Sequence, residues 1–171
     1  MSKSFVHLHA HTEYSMLDGA AKIQTYIDRV KELAQPAAAI TDHGNLYGAL
    51  EFYNIAKKNG VKPIIGYEAY ITTESRFDRP DRDKNKRFHL TLLAENNEGY
   101  WNLVSLASKA FTDGYYYKPR LDYELLREHS KGLIALSGCL GGEIAQHLAP
   151  DGSVEEGNNQ GERSYQKALD K

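Results

Sequence analysis

The sequence predicts an α/β fold on a parallel sheet, either open or closed into a barrel. Three observations carry the prediction. Short apolar runs of strand length alternate with stretches whose apolar residues recur at helical spacing. Gly, Pro, Asn and Asp mark the boundaries between them. The residues with chemistry cluster at strand ends, where parallel α/β folds place their sites. A chain of 171 residues suits one domain, since that length buries roughly two thirds of its unfolded surface.

Residues 4–10 alternate, with Val6, Leu8 and Ala10 on one parity and His7, His9 and His11 on the other. This predicts a strand whose histidines share a face. Over 22–35 the apolar positions Ile23, Ile27, Val30, Leu33 and Ala34 recur at helical spacing, and Pro36 stops the run. The run AAAIT at 37–41, closed by Asp42-His43-Gly44, predicts a buried parallel strand ending in a tight turn. Asn45 is predicted to cap a second helix carrying Leu46, Leu50, Phe52, Tyr53 and Ala56 and ending at Gly60. PIIGYEAYI at 63–71 is a third strand.

Residues 75–87 are a polar interruption, with six Lys or Arg against three Asp. They predict a mobile loop whose local +3 excess makes it the best candidate for a nucleic-acid backbone contact, although such runs are more often solvated surface. FHLTLLA at 88–94 is a fourth strand, followed by a helix over 98–111. Asp122 caps a short helix over 122–130, and Gly132 ends it before a fifth strand at 133–137. The turn at 138–142 leads into a helix near 143–148. Beyond it, 150–161 reads as a surface loop and 162–171 as a weak helix.

A formal net charge of −2 means that the whole-chain field does not draw the protein onto nucleic acid. One cysteine, Cys139, excludes an internal disulfide framework and suits a reducing compartment. The first residues lack the apolar core of a signal peptide, and no stretch approaches the roughly 20 apolar residues of a membrane span. The expected location is the cytoplasm, with no membrane partner.

His9 and His11 project to one side of an extended segment and can ligate neighbouring metals. His7 shares their parity and is equally a ligand, a supporting donor or a surface residue. Asp18 lies in the following loop, and its ordinary role is as a turn residue before Gly19. His43 offers a ligand nitrogen after the second strand, and Asp42 can orient it or cap the helix. Glu68 lies inside an apolar, aromatic strand, where a lone carboxylate is costly, so a buried ion pair or a metal bridge must explain it. Taken separately, His89 is most simply packing or surface and Cys139 a small hydrophobe. Together the histidines, carboxylates and thiol make a mixed N, O and S donor set suited to Zn, Mn or Fe. Such a set suits phosphoester hydrolysis, with one ion lowering the pKa of water and another neutralising phosphate charge. Nothing marks Cys139 as an activated thiolate nucleophile.

FVHLHAHTEYSMLDGA, AITDHGNLYGALEFY, KPIIGYEAYI, FHLTLLAENNEGYWNLVSLAS, GYYYKPRLDYELL and GLIALSGCLGGEI together resemble the PHP (polymerase and histidinol phosphatase) domain at the N-terminus of bacterial DNA polymerase III alpha subunits. The resemblance runs from about residue 4 to 149. It implies a distorted (β/α)7 PHP barrel with parallel strands, of which about five strands lie here. Residues 1–171 would then be the N-terminal part of the domain, without its closing segment. It further implies that His9, His11, Asp18, His43, Glu68, His89 and Cys139 are metal ligands and catalytic residues. A closing Asp and His would lie past Lys171. The metals implied are divalent, Zn or Mn with Fe and Mg as alternatives, up to three in the complete domain. The activity implied is a metal-dependent 3′–5′ exonuclease, in a parent that is a DNA-directed DNA polymerase of chromosomal replication. DNA, a sliding clamp and a proofreading subunit are the partners implied. The competing readings are a free-standing phosphatase of small phosphomonoesters and a metal-stabilised scaffold that docks a proofreading subunit.

Overall fold

The computed structural model describes residues 5–16, 18–81 and 86–148. The readings made for 150–161 and 162–171 therefore lie outside the described residues. Helix α1 (Ile23–Glu32) buries Ile23, Ile27 and Val30, at the spacing that lines one face of a helix. They pack with Ala38 and Ile40 of β1 (Ala37–Ile40) and with Phe52 and Ala56 of α2 (Ala49–Lys58). Pro36 has help in ending α1. Ala34 takes a left-handed φ of 51°, and the Gln35 amide donates to the Val30 carbonyl at 3.0 Å, a closure usually built on Gly.

Strands β2 (Lys62–Ile71), β3 (Phe88–Ala94), β4 (Arg120–Leu121) and β5 (Leu133–Leu136) join β1 in a five-stranded sheet. Its order is β1-β2-β3-β5, with β4 paired to β2. One face of β2 and β3, carrying Tyr67, Ala69, Ile71 and Leu92, packs on α3 (Asn97–Thr112) and α4 (Tyr123–Glu128). There Leu103, Leu106, Leu121 and Leu125 are fully buried, each contributing about 1.5–3 kcal/mol. Helix α5 (Glu143–Leu148) closes the described chain. Asn96 and Asp122 cap α3 and α4, accepting from the Gly99 and Leu125 amides. No helix among the described residues is long and apolar enough to cross a membrane.

The fold is mixed α/β on an open sheet that contains parallel pairs, not a wholly parallel one. β2 runs parallel to β1 and β4, whereas β3 is antiparallel to both β2 and β5. A parallel return to β3 would need a crossover, usually a helix. The polar link from 72 to 87 supplies none in its described part, so the chain turns back antiparallel.

Three local expectations also change. Residues 5–10 form no regular strand, although His7 and Ala10 carbonyls accept from the Ala39 and Thr41 amides at 3.1 and 2.9 Å. The Thr41 hydroxyl accepts from the Ala10 amide at 2.8 Å, so a side chain takes a ladder position. Helix α2 starts at Ala49 without a side-chain cap, because Asn45 accepts from the Tyr47 amide and donates to the His43 carbonyl. The described part of the basic loop is fastened. Arg76 pairs with Asp122 at 3.0 Å, and buried Arg120 donates to the Arg76 and Asp78 carbonyls.

Candidate metal centre

The centre is built around Glu68, whose side chain is fully buried in β2. β1 runs on past its last residue so that His43 bridges to Glu68. The Glu68 amide donates to the Asp42 carbonyl at 3.0 Å, and the Gly44 amide to the Glu68 carbonyl at 2.8 Å. Because β3 is antiparallel, its first residues lie beside the end of β2, and His89 pairs with Tyr70. Cys139 follows the end of β5, which pairs antiparallel with β3 and so ends on the same side.

Glu68 Oε2 contacts His9 Nε2 and lies 2.7 Å from His11 Nε2. Its Oε1 lies 2.5 Å from His89 Nδ1 and 3.8 Å from His43 Nδ1. Asp18 Oδ2 joins the other side, 2.5 Å from His43 Nε2 and 3.1 Å from His11 Nδ1. Cys139 Sγ borders the cluster, 3.6 Å from His89 Nδ1 and 3.8 Å from Glu68 Oε1, with the Gly141 amide donating to it. The structure thus gathers six of the seven predicted residues and sets Cys139 at the rim.

Burial alone would push the Glu68 carboxyl up. Hydrogen bonds from His11, His89 and His9 outweigh it, and the carboxyl is held well below the usual range. The Glu68 hydrogen bond raises His11, whereas burial lowers His43. Bonds from His43 and His11 hold Asp18 below its ordinary value.

The donor arrangement fits divalent cations. A neutral imidazole has one donor and one acceptor nitrogen, yet both nitrogens of His11 face carboxylates. It must carry two protons or give one place to a cation. His9 Nε2 and His11 Nε2 lie 3.1 Å apart, close to the roughly 3.3 Å separating two ligands about 2.0 Å from one tetrahedral ion. His43 Nδ1 is buried with no hydrogen-bond partner. Three overlapping groups, His9-His11-Glu68, His11-Asp18-His43 and His43-Glu68-His89, each bring their ligand atoms within 4.8 Å of one another.

Two expectations left open are now placed. His7 is exposed, with its ring against Phe5 and outside the cluster. Asp42 accepts from the Thr12 amide at 2.6 Å, the Thr12 hydroxyl at 2.7 Å and the Ser15 hydroxyl at 2.6 Å. Ser15 Oγ in turn accepts from the His43 amide at 3.0 Å. Asp42 therefore positions the turn between His11 and Asp18, and reaches His43 through Ser15. Sequence reasoning passed over Thr12, Ser15 and Tyr70, whose ring stacks on His43. Two small hydroxyl residues beside a His-x-His pair were the available signal.

A family model described as the PHP domain matches residues 7–171. The chain belongs to the PHP domain family. This PHP chain is 60% identical over 152 residues to the DNA polymerase III subunit alpha of Thermus aquaticus, covering 86% of this chain and 12% of that protein. It is 49% identical over 167 residues to the Helicobacter pylori J99 protein of the same name, covering 98% of this chain and 14% of the relative. The chain thus spans about an eighth of the length of these relatives. A solved amidohydrolase from Chromobacterium violaceum superposes with a TM-score of 0.46 at 23% identity, over 61% of this chain and 32% of that one.

Proposed function

We propose that this PHP chain is the metal-dependent phosphoesterase portion, of 3′–5′ exonuclease type, of a replicative DNA polymerase III alpha subunit. Its ligands are His9, His11, Asp18, His43, Glu68, His89 and Cys139. One observation carries the reading: a fully buried carboxylate has imidazoles and a thiol as its partners, and no Lys or Arg pairs with it among the described residues. Isolated buried charge is costly, so a structure keeps it where cations or donors compensate.

Glu68 presents one oxygen to His9 and His11 and the other toward His43 and His89, so the carboxylate can bridge two ions. Asp18, shared by His11 and His43, completes a third ligand group. Asp42, Thr12 and Ser15 hold His11, Asp18 and His43 in register. Bound Zn or Mn, up to three in the complete domain, would lower the pKa of water and offset phosphate charge. The sheet is read as part of a distorted (β/α)7 barrel, with 1–171 as the N-terminal part of the domain. The partners are DNA, mainly through the rest of the parent protein, a sliding clamp and a proofreading subunit, in the cytoplasm.

The test is metal analysis of the purified chain after incubation with Zn or Mn, followed by hydrolysis assays on single-stranded DNA and small phosphomonoesters. Bound metal that falls in H9A and E68A, together with DNA cleavage lost in both, supports the reading. A protein that takes up no metal overturns it. Turnover of phosphomonoesters without DNA cleavage moves the chain to the small-molecule phosphatases. Metal uptake that stabilises the fold, with no hydrolysis of either substrate, makes it a scaffold.

A further inference from the structure

Tyr47, Phe111 and Tyr115 form a run of exposed aromatic rings, each neighbouring the next. Tyr47 and Phe111 have ring centroids 6.1 Å apart at 36°, and Phe111 and Tyr115 lie 6.0 Å apart at 21°. Their exposures are 65%, 38% and 54%, so each has a free surface, and contiguous exposed rings of this kind mark interaction sites. They come from three separate places: the loop after His43, the last turn of α3 and the segment that leads to β4.

The chain at both ends of this run leads to the metal centre, since Tyr47 lies four residues after His43 and Tyr115 three before Lys118. Gly44, next to His43, packs so tightly that an added Cβ would lie 2.9 Å from Pro119 Cγ and 3.0 Å from Tyr70 Cε2. Tyr70 stacks on His43 at 6.0 Å and meets His89 edge-on at 5.2 Å. Lys118 Nζ stands over the same Tyr70 ring at 5.5 Å. The turn that carries Lys118 is held in shape. Tyr117 has a left-handed φ of 61°, and the Tyr116 amide donates to the Lys118 carbonyl at 3.0 Å. A non-glycine residue kept in that region signals a conformation the surroundings impose.

We propose that Tyr47, Phe111 and Tyr115 are a base-stacking track for single-stranded nucleic acid, with Lys118 taking a backbone phosphate next to the centre. The proposal rests on the phosphoesterase reading for what happens at the strand's end, but the track is defined by its own residues. Exposed flat rings suit nucleobases, and a cation over the Tyr70 ring, which itself stacks on His43, suits the phosphate that links them. A covering protein segment would use the rings' apolar area without needing bases.

The experiment is fluorescence anisotropy of a labelled oligodeoxythymidine bound to the full chain in EDTA, so that binding is read without hydrolysis. Y47S and Y115S are each expected to weaken binding roughly fivefold or more, the factor set by about 1 kcal/mol of stacking. K118A is expected to lower the salt slope by about one ion. An abasic strand of the same length is expected to bind wild type and Y47S equally. Thermal melts and metal uptake of the variants should match wild type. Unchanged affinity of Y47S and Y115S for oligodeoxythymidine overturns the proposal, as does equal weakening toward the abasic strand. If these variants lose affinity as expected while the metal-loaded wild type hydrolyses nothing, the track stands and the phosphoesterase reading falls.

Discussion

Asp42→Ala tests whether the centre is held by a buried carboxylate that touches no metal. Asp42, Thr12 and Ser15 are 1%, 0% and 2% exposed, so water does not replace the lost acceptor. Three donors lose it together: the Thr12 amide, the Thr12 hydroxyl and the Ser15 hydroxyl. A buried donor left without a partner costs about 1–3 kcal/mol. The amide cannot turn to another acceptor and bears that cost in full, and the two lost hydroxyl bonds add about 1 kcal/mol each, which gives a loss of about 3–5 kcal/mol for D42A. Asp42→Asn keeps one acceptor oxygen and loses the charge, for about 1–3 kcal/mol. Urea unfolding of the metal-free chain, followed by far-UV circular dichroism, reads both, and metal uptake should fall in D42A because His11 and Asp18 lose their anchor. Ser15→Ala in the D42A background should cost about 1–3 kcal/mol more, since it also removes the acceptor of the His43 amide. A D42A loss below about 1 kcal/mol would refute the reasoning, because no buried hub would then exist.

Acid stability should depend on Asp122. Burial pushes its carboxyl up, but the Arg76 and Leu125 amides and the Arg76 guanidinium outweigh this and hold it below its ordinary value. Its folded pKa is depressed, so its contribution is present above the unfolded value of about 3.9 and is lost as pH falls through the folded one. Urea midpoints against pH should show an acid limb that D122N flattens, and an unchanged limb would reject the assignment. Gly44→Ala should lower the melting temperature, because φ is +66° and the new Cβ meets Pro119 and Tyr70. The left-handed cost alone is about 1–2 kcal/mol, worth about 2–4 °C per kcal/mol at this chain length, and calorimetry that finds no shift contradicts the packing. Zn or Mn at about 100 times its dissociation constant should stabilise the chain by about 2.7 kcal/mol. A thermal melt that EDTA leaves unchanged would show that the histidine cluster holds no ion.

The elements that sequence placed well are those whose signal is local and periodic. Ile23, Ile27 and Val30 announce α1 because one helix face must be apolar, and Ala37–Ile40 announces a strand buried on both faces. Asp122 was legible as a cap because the capping bond spans three residues. Non-local facts were hidden. Asn45 looks like a cap until the His43 carbonyl is found beside it, and Arg76 looks like a solvated charge until α4 brings up Asp122. The parity reading of residues 4–10 failed at His7 and Leu8, both exposed, because the segment joins β1 through alternate hydrogen bonds and a threonine hydroxyl, not a full ladder.

His89 shows why the candidate site was more legible than the topology that makes it. In a wholly parallel sheet, a histidine at the start of a strand lies at the opposite end from residues that follow strands, so His89 would stand a strand's length from His43 and Cys139. Reversing β3 removes the conflict. With Glu68 opposite Thr91 and Tyr70 opposite His89, the beginning of β3 meets the end of β2, while β5 reverses again and delivers Cys139 to the same edge. Glu68 and Tyr70 then share the face opposite Tyr67, Ala69 and Ile71, which face the α3 core. Gathering these donors therefore requires an antiparallel β3. A chain with the same ligands and a parallel β3 would leave Glu68 buried without His89, trading a charge-assisted hydrogen bond worth about 1.5–3 kcal/mol for a desolvation cost.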